Sequence, residues 1–94
     1  MQVKWTRKAL INLDDAVEYI ARDNATAAQK VAQKIWDSAK MLGDQPGIGR
    51  PGRVANTREL VIAGLPYILP YTEKRGILFI LRVLHTSMRW PDVL

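Results

Sequence analysis

Arg82 and His85 close the apolar run Gly76-Ile77-Leu78-Phe79-Ile80-Leu81-Arg82-Val83-Leu84-His85, and Arg89 and Trp90 come directly after it. A guanidinium grips anionic oxygens through paired donors, and imidazole is the side chain whose ordinary pKa suits proton transfer near neutrality. Cation, imidazole and indole at one strand end point to an anionic or phosphate-bearing target. A charge within an apolar run must be paired or used. Arg82 therefore either pairs with Glu59 or Glu73 across a sheet, or stands as a fixed cation on an open face, met by Arg50, Arg53 and Arg58 from a loop and a neighbouring strand.

Metal-free RNA cleavage needs a base for the 2′-hydroxyl, cations for the phosphorane charge and an acid for the leaving oxygen. Arg82, Arg58 and His85 fill part of that requirement. Only Glu59 and Tyr71 offer a second acid or base, and only through their proximity in the expected sheet. His85 is the one histidine and cysteine is absent, which excludes thiolate zinc sites, thiol nucleophiles and histidine pairs. We expect no metal and no cofactor. A lone histidine at a strand end also reads as a capping or solvated residue. Gly47-Ile48-Gly49-Arg50-Pro51-Gly52 lacks the Lys-Ser/Thr ending of a phosphate loop and leads into a strand, so a nucleotide-binding loop is rejected. Trp90, set between Arg89 and Pro91, stacks on a base, meets a partner or folds back over the sheet.

The charge is uneven. Net charge is +5, and residues 50–94 carry seven Lys/Arg against three Asp/Glu, all but Lys74 of the cations being arginine. Arginine's planar fork suits phosphate and carboxylate, although a basic half also serves solubility. With 94 residues, 48% of them hydrophobic, the chain has material for one modest core and one domain over 1–94. The longest apolar run, Ile77 to Leu81, falls far short of a membrane span, and Met1 to Leu10 lacks the apolar centre of a secretory leader. The expectation is a cytoplasmic protein with no membrane partner.

Gln2 to Trp5 alternates as a short strand, and Thr6 caps the helix beyond it. In that helix Leu10, Leu13, Val17 and Ile20 recur at helical spacing, with Asp14, Asp15, Glu18 and Arg22 between them. Asp23-Asn24 breaks this helix, and Thr26 with Gln29 reads as a capping box for a second one. Its stripe is Ala28, Val31, Ile35, Ala39 and Leu42, with Trp36 at the margin and Gly43 as the stop. Asp44 to Asn56 reads as a loop, Thr57 to Ile62 and Tyr67 to Thr72 as strands, and Lys74-Arg75-Gly76 as the turn into the last strand. Pro70 cannot donate to a ladder and belongs at a bulge or beyond the paired region. In the last strand Leu78, Ile80, Arg82 and Leu84 share one face. The order gives an α+β fold: a short N-terminal strand, an α-helical hairpin on one face of the sheet, then a three-stranded antiparallel meander, with the other face open.

Val3-Lys4-Trp5-Thr6 before a helix carrying Asp14-Asp15, then Gly49-Arg50-Pro51-Gly52-Arg53, Thr57-Arg58-Glu59-Leu60, Tyr67-Ile68-Leu69-Pro70-Tyr71 and Ile80-Leu81-Arg82-Val83-Leu84-His85 resemble the RelE/ParE superfamily of type II toxin-antitoxin toxins. The resemblance spans nearly the whole chain and implies a growth-inhibiting toxin held by a cognate antitoxin. RelE-like members cut mRNA on the ribosome, whereas ParE-like members poison DNA gyrase. Leu84-His85-Thr86-Ser87-Met88 is similar to the ParE pattern, and the dense lysine cluster and terminal tyrosine of many RelE-like nucleases are missing. The resemblance thus implies gyrase as partner, and on that reading Arg50, Arg53, Arg58, Arg82, Arg89 and Trp90 make a cationic and aromatic target-binding surface. On the nuclease alternative the partners are ribosome and mRNA, and Arg82 and His85 are catalytic. A third reading is a non-toxic basic module that binds nucleic acid or protein.

Overall fold

One side chain ties the start of the chain to its end. In a computed structural model describing residues 1–94, Thr6 Oγ1 accepts from the Ala9 amide at 3.1 Å and donates to the Leu81 carbonyl at 3.1 Å. Strand β1 (Gln2–Trp5) thereby passes into helix α1 (Arg7–Ala21) under the expected cap. The sheet-facing row of α1 is Ala9, Leu13 and Ala16, while Leu10, expected in the stripe, is 43% exposed. Helix α2 (Ala25–Met41) is capped by Asn24, whose side chain accepts from the Ala27 amide at 3.0 Å. The Thr26–Gln29 box is therefore not the cap. Asn24 already holds extended backbone where the chain leaves α1, and asparagine caps at least as well as threonine.

Ala28, Ile35, Ala39 and Leu42 of the second helical segment are buried as expected, the last three in one core with Leu60, Leu69, Tyr71, Leu78 and Ile80 of the sheet. A fully buried Leu or Ile contributes roughly 1.5–3 kcal/mol by transfer from water. The sheet holds six strands: β1, β2 (Arg50–Pro51), β3 (Arg58–Val61), β4 (Tyr67–Lys74), β5 (Ile77–Ile80) and β6 (Leu84–His85), with the main path β1-β5-β4-β3-β2 and β6 also pairing β4. The meander β3-β4-β5 is antiparallel, and β1 joins β5 in parallel, with Trp5 opposite Ile80. Strand β2 interrupts what the sequence presents as loop. Two residues are too few to show alternation, and their pairing depends on β3. Arg75 (φ 53°) and Gly76 (φ 77°) make a two-residue hairpin turn with positive φ at both positions, the twist that antiparallel neighbours need.

Pro70 sits inside β4, opposite Glu59, and its place is explained on its other side. Its carbonyl accepts from the Leu81 amide at 2.9 Å, so its missing N–H points toward the gap between β5 and β6. The last strand is broken there. Leu81 to Val83 bulge out, held by Thr6 and by Asn12, whose Oδ1 accepts from the Val83 amide at 3.2 Å. The bulge reverses the alternation: Leu78 and Ile80 face the helices, and beyond it Val83 and His85 do. Arg82 therefore does not share a face with Leu78 and Ile80.

The sheet's second face is not open as expected. Ile68, Pro70 and Leu84, which lie on it, are buried, and Trp90 returns to Arg53 at the same side of the sheet. No helix is long and apolar enough to cross a membrane.

Candidate target-binding surface

Glu59 organises the arginine loop. It is 2% exposed, and its carboxylate accepts from Arg50 Nε at 3.1 Å and from the Arg53 amide at 2.8 Å, with Arg50 Nη2 also 3.1 Å away. A buried carboxylate needs such donors to offset the water it loses. The pairing of β2 with β3 sets Arg50 directly opposite Glu59. Arg53 then lays its guanidinium 4.2 Å from the ring centre of Trp90, a cation–π contact. Trp90 thus packs back against the arginine loop.

Arg58 belongs to another surface. It is opposite Tyr71, one residue out of phase with Glu59, so its side chain leaves the other face of β3 and donates to the Gly49 carbonyl at 2.8 Å. Tyr71 donates to the Pro46 carbonyl at 2.7 Å and accepts from the Gly49 amide at 2.9 Å. These bonds fix the loop before β2 from beneath, while Glu59 fixes it from above. The sequence placed Arg50, Arg53 and Arg58 around one anion. The structure brings the first two together and puts the third on the opposite side of the strand.

Arg82 has neither expected partner. Glu59 is taken by Arg50, and the chain's two ion pairs, Arg50–Glu59 and Arg22–Glu18, exclude both Arg82 and Glu73. Its Nε is buried in the bulge with no acceptor, which leaves an unsatisfied cationic donor beside Leu81 and Val83. Arg89 is exposed.

His85 faces the helices. Its Nδ1 accepts from the Ser87 amide at 3.1 Å and lies 2.7 Å from Ser87 Oγ, and its ring meets Tyr67 edge to face with centroids 5.3 Å apart. The Tyr67 phenol has its pKa raised from the usual 10.0 by burial and secondarily by Tyr19. Both suggested partners for proton transfer, Glu59 and Tyr71, are committed to the arginine loop. The surface around the loop offers exposed guanidinium groups, one indole and an unsatisfied buried donor. No group of three or more His, Cys, Asp or Glu side chains converges as a metal site would require.

Sequence reasoning missed Glu59 and Tyr71 as anchors of this loop, because both roles depend on β2. It also missed the grouping of His85 with Tyr67, Tyr19 and Asp15 around one cavity. The helical spacing of Asp15 and Tyr19 was available, but nothing local tied it to β6.

The ParE toxin family of type II toxin-antitoxin systems, parDE, matches residues 3–90. A candidate toxin of Sinorhizobium fredii, Y4kP, is 43% identical over 93 residues, covering 99% of this chain and 96% of that protein. Toxin RelE2 of Caulobacter vibrioides is 35% identical over 86 residues, covering 92% and 96%. A solved structure described as the chromosomal ParDE toxin-antitoxin system from P. aeruginosa superposes with a TM-score of 0.82 at 33% identity, over 90% of this chain and 95% of that one.

Proposed function

The chain belongs to the ParE toxin family of type II toxin-antitoxin systems, and from that premise we propose that it arrests growth by poisoning DNA gyrase. As a toxin of this kind it is partnered by a cognate antitoxin. The observation that carries the gyrase reading is the commitment of Glu59 and Tyr71 to the arginine loop, which takes from His85 both partners that the sequence offered it for paired proton transfer. A poison needs only to bind. Arg50 and Arg53, held at Glu59, with Trp90 on Arg53 and Arg89 nearby in sequence, form the docking surface. Arg58 supports it from the far side of β3, and Arg82, half-buried with its Nε unsatisfied, adds a cation for an anionic group of gyrase or its DNA. Gyrase works in the cytoplasm, and the toxin acts there.

The nuclease reading has one support, the relative named RelE2, and would make Arg82 and His85 catalytic. The deciding experiment adds the purified chain to gyrase with supercoiled plasmid and, separately, to translating ribosomes with mapped mRNA ends. Trapped cleaved DNA complexes and intact mRNA are expected. Codon-phased mRNA cuts without any effect on gyrase would overturn the reading.

A further inference from the structure

A cavity of about 370 Å³ lies between α1 and strands β4 and β6, and the charge it carries is negative in a chain of net charge +5. Its one formal charge is the carboxylate of Asp15, which enters neither of the chain's ion pairs. Its walls include the rings of Tyr19, Tyr67 and His85, with Met88 also on the lining. Tyr67 is only 6% exposed, yet its hydroxyl has no hydrogen-bond partner within the chain, and the cavity is where the side chain opens. His85 Nδ1 is satisfied by Ser87, which leaves its ring turned edge-on to Tyr67. Tyr19 and Met88, 71% and 48% exposed, stand as apolar surface beside this polar floor.

We propose that this cavity is the seat of a cationic side chain, arginine or lysine, projected by the cognate antitoxin. The proposal rests on the toxin-antitoxin reading above and adds the chemistry of one contact. An unpaired carboxylate attracts the charge, and tyrosine faces attract a cation within about 6 Å of the ring. The Tyr67 oxygen accepts one of its N–H groups, while Ala16 and Val83 take the aliphatic stem. An anion would be repelled by Asp15. An apolar side chain would cover Asp15 and the Tyr67 hydroxyl without offering either a partner, which is unfavourable for both groups. On a chain of net charge +5, an unpaired carboxylate set beside tyrosine rings attracts a partner's cation, and seating it there fixes the register in which the antitoxin lies.

Two measurements on the purified full chain test it. In the first, N-acetyl-arginine methylamide is titrated against the ring signals of Tyr19, Tyr67 and His85 by NMR, with the neutral citrulline analogue as control. Saturable shifts with the arginine compound alone, abolished in Asp15→Asn, are expected. Equal responses to both compounds, or none to either, overturn the proposal. In the second, calorimetry compares antitoxin affinity for the unaltered chain, Asp15→Asn and Tyr67→Phe. Asp15 is exposed on α1, so its variant folds, and a loss of about tenfold or more is expected, with a smaller loss for Tyr67→Phe. Unchanged affinity in both variants overturns the proposal and leaves the antitoxin reading standing. An antitoxin that fails to bind the unaltered chain overturns both.

Discussion

The hydroxyl of Tyr71 accepts from the Gly49 amide at 2.9 Å and stands where a side chain at position 49 would begin: a Cβ added there would lie 2.5 Å from that oxygen. The two residues define one contact, and neither can change without moving the loop that carries Arg50. Tyr71→Phe leaves the Gly49 amide and the Pro46 carbonyl without their partner, a loss of about 1–3 kcal/mol. At about 4–8 °C per kcal/mol for a domain of this size, a calorimetric scan should show a clear fall in Tm. Gly49→Ala should fall similarly, and the two changes together should cost less than their sum, because they break the same contact. Full additivity would separate them.

Arg50 and Arg53 are not equivalent tests of target binding. The Arg50 side chain bonds the buried Glu59 carboxylate, so Arg50→Ala lowers stability and toxicity together. Arg53 serves Glu59 through its backbone amide, and its side chain meets Trp90. Arg53→Ala should therefore cost no more than about 1 kcal/mol of stability, shift the Trp90 indole signal and weaken gyrase poisoning. The residual effect should decline as salt rises, since screening acts on the remaining exposed cations. Poisoning by Arg53→Ala equal to that of the unaltered chain would remove this surface from the mechanism.

Arg82→Met removes a buried donor that has no acceptor. Relieving an unsatisfied group is neutral or stabilising, so Tm should hold or rise while toxicity in cells is lost and antitoxin binding persists. A structural arginine would behave in the opposite way, with a large fall in Tm and insoluble expression.

Tyr67 sets an alkaline limit. Burial raises its pKa above 10.0 in the folded chain, so in the window above 10 the folded state holds a proton that the unfolded state has released. The stability from the neutral phenol is complete below the unfolded pKa and is lost as pH rises toward the folded one, by at most about 1.4 kcal/mol per pH unit. Denaturant titrations of the chain and of Tyr67→Phe should run parallel at neutral pH and diverge above 10, the variant losing less. Parallel curves throughout would deny the burial of this group.

The parts of the fold legible in the sequence are those written in local periodicity. The two helices, β1, the Thr6 cap, the β3-β4-β5 meander and the Arg75-Gly76 turn each rest on spacing within a few residues. The parts that were not legible depend on distant partners. Strand β2 exists through Glu59, and the bulge at Leu81 to Val83 exists through Pro70, Thr6 and Asn12. Arginine was recognisable as a residue for anions, but register decides which arginines share a face, and one residue of offset sends Arg50 and Arg58 to opposite sides of the sheet. Pro70 was the most informative conflict, since its missing donor already announced that something beside it must break.

The parallel pairing of β1 with β5 has a consequence for how the chain is made. Gln2 to Trp5 leaves the ribosome more than seventy residues ahead of its partners, Ile77 to Ile80. The helical hairpin, built from local contacts, forms early, whereas the edge strand must wait through most of translation before its hydrogen bonds close. Chains interrupted before Ile77 consequently lack both the completed sheet and the clasp of Thr6 on Leu81, so the surface that Glu59 and the arginine loop build has only part of its scaffold until β5 has joined β1.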